Sequence, residues 1–156
     1  MLIRRGEGND LHGVIRLWKE LMDFHREIDP MFTRHPRGAD NFMKFLMELM
    51  DSPDAALFVS EEDGELTGYI LATVSKYPPV FMEENYGMIT DAVVTASRRR
   101  RGTGEALVEK AAEWFREKGL TRMEMRLVNA NMVSSSFWRK MGFKPYLTTL
   151  YKDLQP

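Results

Sequence analysis

The sequence contains no cysteine among its 156 residues, which excludes disulfides, thiolate catalysis and metal sites with Cys ligands. It has no apolar run of the ~18 residues that a membrane span needs. No secretory signal is visible at its start, and no repeat, low-complexity tract or Pro/Gly/Ser-rich linker divides it. We therefore expect one domain over residues 1–156, located in the cytoplasm and not attached to a membrane.

An excess of charge of either sign is also missing. Lys and Arg number 22, Asp and Glu 23, and the net charge is −1. This balance argues against a general attraction to nucleic acid. The three histidines (His12, His25 and His35) lack the spacing of a zinc-binding helix, and no metal site is predicted. Hydrophobic residues make up 44% and charged residues 29%, as in globular proteins.

Hydrophobic periodicity predicts the elements along the chain. Helices are expected after Asn9 and Asp10, from about Asp40 to Asp51, over Arg101–Lys118 and from Met132 to Met141. The segment from His25 to Gly38 is expected to be a loop. Strands are expected at Leu2–Arg5, Ala55–Ser60, Leu66–Ser75, Gly87–Val94, Thr121–Val128 and Phe143–Leu154.

The order of these elements, β-α-α-β-β-β-α-β-α-β, determines the fold class that we predict. Consecutive strands in the middle of the chain favour antiparallel pairing, whereas the later β-α-β unit favours a parallel crossover. We expect an α/β (α+β) domain with a mixed, mostly antiparallel central sheet and helices on both faces.

The most informative stretch runs from Val93 to Gly104, where a strand leads into four arginines, a Gly-x-Gly and a long helix. Free N–H groups and a positive partial charge make a helix N-terminus a good phosphate receptor. The glycines let a pyrophosphate approach the backbone, and arginines add cationic donors. The alternative is an ordinary helix start with solvated arginines. Neither the Walker A pattern nor the third glycine of the dinucleotide fingerprint is present.

Two motifs resemble those of the GNAT acetyltransferase superfamily. The segment Arg99–Gly104, here called the arginine–glycine loop, is similar to the family signature (Gln/Arg)-x-x-Gly-x-(Gly/Ala), and Val94 precedes it by five residues. The stretch from Asn131 to Phe143 resembles a second signature: Asn, a small residue three later, an aromatic seven later and a final Gly-Phe. The resemblance covers nearly the whole chain and implies a single GNAT-like acetyltransferase domain over 1–156.

The resemblance implies acetyl-CoA as co-substrate, bound where the fourth and fifth strands splay apart. The backbone of Ala92, Val93 and Val94 would then pair with the pantetheine amides. Asn131 would lie near the pantetheine arm and Trp138 near the thioester. The N–H groups of the loop would hold the pyrophosphate, through Arg99, Arg100, Arg101, Gly102, Thr103 and Gly104.

Trp138 departs from the family pattern, in which a tyrosine is thought to protonate the leaving thiolate. An indole has an N–H donor but no usable acidity. With a thiol pKa near ~8.5, the thiolate can leave with hydrogen-bond help alone. Ser135, Ser136 or Tyr146 could supply that hydrogen bond, and the sequence does not rank them. Our interpretation of Trp138 is packing against the pantetheine arm.

Asp91 is our candidate for the general base, because it lies three residues before Val94 in the strand expected to bear the thioester. The alternative is a carboxylate that faces solvent or pairs with an arginine. Glu83 and Glu84 are candidates for recruiting a cationic amine, or are simply solvated. His25 is expected to be a packing residue.

Our leading interpretation is an N-acetyltransferase that moves an acetyl group directly from the thioester to a primary amine of a small molecule or peptide. A strand N–H near Val93 or Val94 would stabilise the oxyanion. A catalytically silent acyl-CoA-binding module is the main alternative, and a nucleic-acid contact through Arg98–Arg101 ranks last because Glu105 and Glu109 follow. We expect no membrane or nucleic-acid partner; a homodimer and the identity of the amine stay open.

Overall fold

Five strands and four α-helices make up the regular structure of Met1–Gln155, the residues that the computed structural model describes. Three short 3-10 helices join them. In chain order the elements are β1 (Leu2–Arg5), α1 (Leu11–Ile28), α2 (Gly38–Met50), β2 (Ala55–Glu62), β3 (Glu65–Lys76), β4 (Asn85–Val94), α3 (Thr103–Glu117), β5 (Met123–Met125) and α4 (Met132–Lys140). The predicted order is confirmed up to the last helix.

The sheet has the spatial order β1-β2-β3-β4-β5. Its first three pairings are antiparallel, and β5 joins β4 in parallel after the α3 crossover. The predicted mixed, mostly antiparallel sheet is therefore confirmed.

Helices cover both faces of this sheet, as predicted. Successive strand residues point to opposite faces, so each buried strand contributes to two cores. One core packs α1 and α2 on the sheet through Leu11, Val14, Ile15, Leu17, Leu46, Leu57, Val59, Tyr69, Leu71 and Val93. The other lies under α3, which approaches closely at two glycines: a Cβ at Gly68 would come within 3.2 Å of Leu107, and one at Gly87 within 2.7 Å of Phe115.

A β-bulge in β4 decides which core each of its residues faces. Leu71 pairs with Asp91, but the next residue of β3, Ala72, pairs with Ile89, so Thr90 is an extra residue. Before the bulge, Ile89 has the same parity as Gly87 and faces α3. After the bulge, Asp91 shares a face with Leu71 and points to the α1 side. One additional residue thus turns Asp91 over.

The start of α1 is fixed by a buried carboxylate. Asp10 is 8% exposed and accepts hydrogen bonds from the Glu7 N–H at 2.7 Å and from both terminal nitrogens of Arg4 at 2.8 and 2.9 Å. Arg4 also donates to Glu61 in β2 at 2.8 Å. The hydrogen bonds from Arg4 lower the pKa of Asp10. This network ties the N-terminal strand, the first helix and the sheet together.

Two predicted boundaries differ from the structure. The loop expected at His25–Gly38 is shorter, because α1 continues to Ile28 and stops at Asp29, the residue before Pro30, where helical dihedrals are disfavoured. The Asp29 side chain then accepts from the Met31 N–H and begins a 3-10 turn at Pro30–Phe32. The strand expected at Thr121–Val128 is reduced to Met123–Met125.

The last predicted strand, Phe143–Leu154, is wrong: this segment has no helix or strand in the described part of the chain. Four of its six apolar residues form two adjacent pairs, Tyr146–Leu147 and Leu150–Tyr151, so a strand would not place them all on one face. Pro145 also lacks the N–H that a sheet ladder needs. Four of its side chains are largely exposed: Leu147, Leu150, Tyr151 and Leu154.

The chain divides into two compact units, Met1–Arg126 and the residues from Leu127 onward. The first holds the sheet with α1, α2 and α3, and the second holds α4. One domain over residues 1–156 stays a prediction. No helix among the described residues combines the length and apolar character of a membrane span.

Candidate active site

The end of β4 has one unpaired edge within the first unit. β5 pairs with β4 only at Gly87–Ile89, whereas β3 follows β4 to Val94. Among the described strands, none accompanies Ala92, Val93 and Val94 on the β5 side. The Val94 carbonyl on this stretch accepts a hydrogen bond from Arg99 Nε at 3.1 Å. The backbone expected to pair with pantetheine therefore lies at a gap in the sheet.

The arginine–glycine loop follows directly. A 3-10 turn at Ala96–Arg98 leads into Arg100, with φ 62°, and Gly102, with φ 83°. Left-handed dihedrals are uncommon for a residue with a side chain, so Arg100 marks a sharp turn of the backbone just before α3. A Cβ on Gly102 would meet nothing within 4 Å, so its requirement for glycine lies in the backbone conformation and not in crowding.

α3 begins at the end of this loop, and N–H groups at its start have no hydrogen-bond acceptor within the helix. Its first intrahelical hydrogen bond runs from the Ala106 N–H to the Gly102 carbonyl at 3.0 Å. The N–H groups of Thr103 and Gly104 precede that bond and have no intrahelical acceptor. Together with the positive end of the helix dipole, they make the loop suitable for a phosphate.

The four arginines of this stretch differ in their surroundings. Arg98 lies 3.1 Å from Glu62, the last residue of β2, and 3.8 Å from Asp63, in the turn that follows. Arg99, Arg100 and Arg101 belong to the loop and are exposed, so their cationic groups can reach an anion there. Arg98 instead holds the loop to the neighbouring turn.

Asp91 lies three residues before the end of β4, on the α1 face. Its Oδ2 accepts a hydrogen bond from the hydroxyl of Tyr69 in β3 at 3.2 Å, and Tyr69 is fully buried. Burial raises the pKa of Asp91 to about 6, and the hydrogen bond from Tyr69 opposes part of that rise. Burial, reinforced by the charge of Asp91, raises the pKa of Tyr69 well above 10. Asp91 is thus held by a phenol rather than by an arginine.

Asn131 and Trp138 lie in the second unit, the first directly before α4 and the second within it, and both make hydrogen bonds inside this helical segment. The Asn131 side chain accepts from the Ser134 N–H at 3.1 Å and caps the helix start. The indole N–H of Trp138 donates to Ser134 Oγ at 3.0 Å, and its ring lies edge-on to Phe137 and Phe143, each at 5.0 Å. Their predicted contacts with the cofactor stay predictions.

The other candidates have simpler surroundings. His25 is half-buried beside the rings of Phe24 and Phe32, and burial lowers its pKa, which agrees with a packing residue. Glu83 and Glu84 are exposed in the loop before β4. Of the possible donors to the thiolate, Ser135 is buried, whereas Ser136 and Tyr146 are exposed. Among residues 1–155, no group of three His, Asp or Glu side chains is arranged to hold a metal ion.

Sequence reasoning missed Tyr69 and Ser134. Tyr69 is the one polar aromatic in the strand segment Leu66–Ser75, a weak signal that gains meaning only once the pairing with β4 is known. Ser134 stands four residues before Trp138, so a helix places the two on one face. That spacing was visible in the sequence.

Comparison with known proteins gives the same assignment as the motifs. The sequence model of the acetyltransferase (GNAT) family matches residues 14–143. A putative [ribosomal protein bS18]-alanine N-acetyltransferase of Bacillus subtilis is 26% identical over 126 residues, covering 81% of this chain and 76% of that protein. An aminoglycoside N(6')-acetyltransferase type 1 of Klebsiella aerogenes is 30% identical over 100 residues, covering 64% and 66%.

Among solved structures, aminoglycoside N-acetyltransferase AAC(6')-Iy, determined in complex with CoA, superposes with a TM-score of 0.77 at 18% identity, covering 99% of this chain and 95% of that one. This likeness shows the shared fold. The family match spans most of the chain and includes both motifs, the β4 end and α3. The protein is therefore an acyltransferase that belongs to the GNAT family of acetyltransferases.

Proposed function

We propose that this protein uses acetyl-CoA to acetylate a primary amine of a small molecule or peptide by direct transfer, with residues 1–156 acting as one acetyltransferase domain. The observation that carries the proposal is the order of three features in and after β4. The Asp91 carboxylate is hydrogen-bonded to Tyr69, the end of the strand has an unpaired edge, and the arginine–glycine loop follows. Relatives named for acetylating an aminoglycoside and a ribosomal-protein alanine support both kinds of acceptor.

The arginine–glycine loop is the proposed site for the diphosphate of CoA. It offers the N–H groups at the N-terminus of α3, next to left-handed Arg100 and Gly102, together with three exposed arginines. These donors fit an extended dianion, and the open space beside Gly102 leaves room for it. The CoA complex of AAC(6')-Iy, which shares the fold, supports this choice of co-substrate.

Asp91 is the proposed general base. With a pKa of about 6 it is mostly ionised at neutral pH yet is a stronger base than an ordinary carboxylate. Tyr69 occupies Oδ2 and leaves Oδ1 to take a proton from the attacking amine. As the amine nitrogen bonds to the acetyl carbon, its proton passes to Asp91, and the C–S bond breaks to release the thiolate.

The developing oxyanion needs a hydrogen-bond donor, and a backbone N–H near Val93 or Val94 is our candidate, because this edge of β4 carries no fifth-strand partner. The leaving thiolate is not protonated by Trp138, whose N–H already donates to Ser134. With a thiol pKa near ~8.5, the thiolate is a tolerable leaving group and takes its proton from solvent.

The second candidate function is a silent acyl-CoA-binding module, favoured by the tryptophan in place of an acidic phenol. A panel of primary amines, including aminoglycosides and peptides with free N-termini, distinguishes the two when thiol release from acetyl-CoA is followed. Release with at least one amine supports the transferase. CoA binding without release from any amine favours the module.

The CoA site itself is tested by calorimetric titration of CoA into Gly102→Asp. The substitution adds a side chain and a negative charge at a left-handed position of the loop. Gly119→Asp is a matched control, because Gly119 also has a positive φ (77°) and open space but lies at the other end of α3. We expect Gly102→Asp to lose CoA binding and Gly119→Asp to keep it. Native affinity in Gly102→Asp would refute the site.

A further inference from the structure

A carboxylate from the first helix reaches the start of the connection between β4 and α3. Glu20, in α1, accepts a hydrogen bond from the Thr95 hydroxyl at Oε2 (3.0 Å) and another from the Ala96 N–H at Oε1 (2.8 Å). The partners are 75 and 76 residues away along the chain. Both carboxylate oxygens are therefore engaged by the turn that leads into the arginine–glycine loop.

Two other contacts join this turn to the sheet. The Thr95 N–H donates to the Thr67 carbonyl at 2.8 Å, and Arg98 pairs with Glu62 at 3.1 Å. Glu20 connects the same turn to α1 through its two hydrogen bonds. Since Ala96 is the first residue of the 3-10 turn, the carboxylate lies at the positive end of that turn, where it is favourable.

A negative side chain here also affects where an anion can bind. The Thr95 hydroxyl and the Ala96 N–H are donors that a phosphate would otherwise attract, and Glu20 occupies both. Its charge additionally repels an anion from this end of the connection. The donors left for a phosphate are those further along, in the exposed arginines and the N-terminus of α3.

We infer that Glu20 is a positioning residue for the arginine–glycine loop: by fixing Thr95 and Ala96, it sets the loop that follows in the conformation that receives the diphosphate of CoA. Glu20 acts through the turn and does not touch the ligand. The inference rests on the proposed function, because the loop is the proposed CoA site.

The test compares CoA affinities of Glu20→Ala, Glu20→Gln and the control Glu27→Ala by calorimetry, well below the unfolding midpoint of each variant. Glu27 is an exposed acid of the same helix, seven residues on. A glutamine can still accept from the Ala96 N–H and donate to the Thr95 hydroxyl. We expect Glu20→Ala to weaken CoA binding about tenfold, or ~1.4 kcal/mol, while the other two stay within about twofold of native.

The outcomes separate this inference from the proposed function. If native protein binds CoA and Gly102→Asp does not, but Glu20→Ala binds like native, the positioning role is overturned and the CoA site stands. An equal loss in Glu20→Gln and Glu20→Ala overturns the role of the hydrogen bonds. If native protein fails to bind CoA, the proposed function falls and the inference with it. With a working amine, Glu20→Ala should raise the KM for acetyl-CoA and leave kcat at saturation near native.

Discussion

Replacing Asp91 by asparagine should stabilise the protein at neutral pH and at the same time impair it as a catalyst. Asparagine matches aspartate in size, and its carbonyl oxygen can still accept the hydrogen bond from the Tyr69 hydroxyl. The substitution removes the negative charge of the Asp91 carboxylate, which is disfavoured because the group is buried. A group proposed to act as a base is thereby held in an environment that opposes its reactive form.

The magnitude follows from the pKa. Burial raises the pKa of Asp91 from 3.8 to about 6, and a tenfold change in an acid constant corresponds to ~1.4 kcal/mol, so keeping Asp91 ionised in the folded state costs about 3 kcal/mol. The folded state binds this proton more tightly than the unfolded chain, and stability is therefore lost as pH rises between the two values. The cost is absent below about pH 4 and complete above about pH 6.

The assay is urea unfolding of native protein and Asp91→Asn at a series of pH values from about 4.5 to about 8. We expect Asp91→Asn to gain about 1 kcal/mol at the acid end and up to about 3 kcal/mol at the neutral end. Asp153→Asn, at an exposed aspartate, is the control and should show no such dependence. A difference that does not vary with pH, or a less stable Asp91→Asn at neutral pH, refutes the reasoning. Turnover of Asp91→Asn should fall while CoA affinity stays near native.

Three further predictions follow from named contacts. The rising limb of kcat/KM against pH should lie near 6, and Tyr69→Phe should move it to higher pH because the Tyr69 hydrogen bond lowers the pKa of Asp91; a shift to lower pH would contradict this. In steady-state assays Trp138→Tyr should change turnover by less than about tenfold (~1.4 kcal/mol), whereas Trp138→Ala should weaken CoA binding and turnover together; a larger gain in Trp138→Tyr would indicate a missing acid and favour the silent module. Asp10→Asn should lose roughly 1.5–3 kcal/mol at neutral pH, because its hydrogen bond to Arg4 is charge-assisted, and urea unfolding should show the difference from native shrinking as pH falls through the lowered pKa of Asp10.

The regular elements were predictable where local signals agree. The helical periodicity of α1, α2 and α3 and the glycines that end helices depend on neighbours in sequence. The strand expected at Phe143–Leu154 was wrong because the apolar residues of that segment do not alternate. The family resemblance rested on two short motifs, which identify a family more reliably than they place a strand.

The candidate site was predictable as a set of positions and not as a set of contacts. Asp91 could be chosen from its distance to Val94, but its partner Tyr69 depends on the pairing register of β3 and β4. The residue type of Thr90 does not indicate a bulge, so the face of the sheet on which Asp91 lies could not be predicted from the sequence. The contact of Glu20 with Thr95 joins residues 75 apart and has no local signal at all.

The bulge at Thr90 has a consequence for how such a protein can diverge. The face of the sheet to which a strand residue points is set by its place in the pairing register. Substitutions along β4 therefore change the side chain at a position but not the face to which it points. If β4 kept its length but lost the bulge, Thr90 would pair with Leu71, Asp91 would turn towards α3 and Ala92 would lie beside Tyr69. Deleting Thr90 would instead leave Asp91 opposite Leu71, in a regular strand. New acceptors can therefore be acquired by point mutation around the site, whereas the face on which the carboxylate lies depends on whether β4 keeps its bulge.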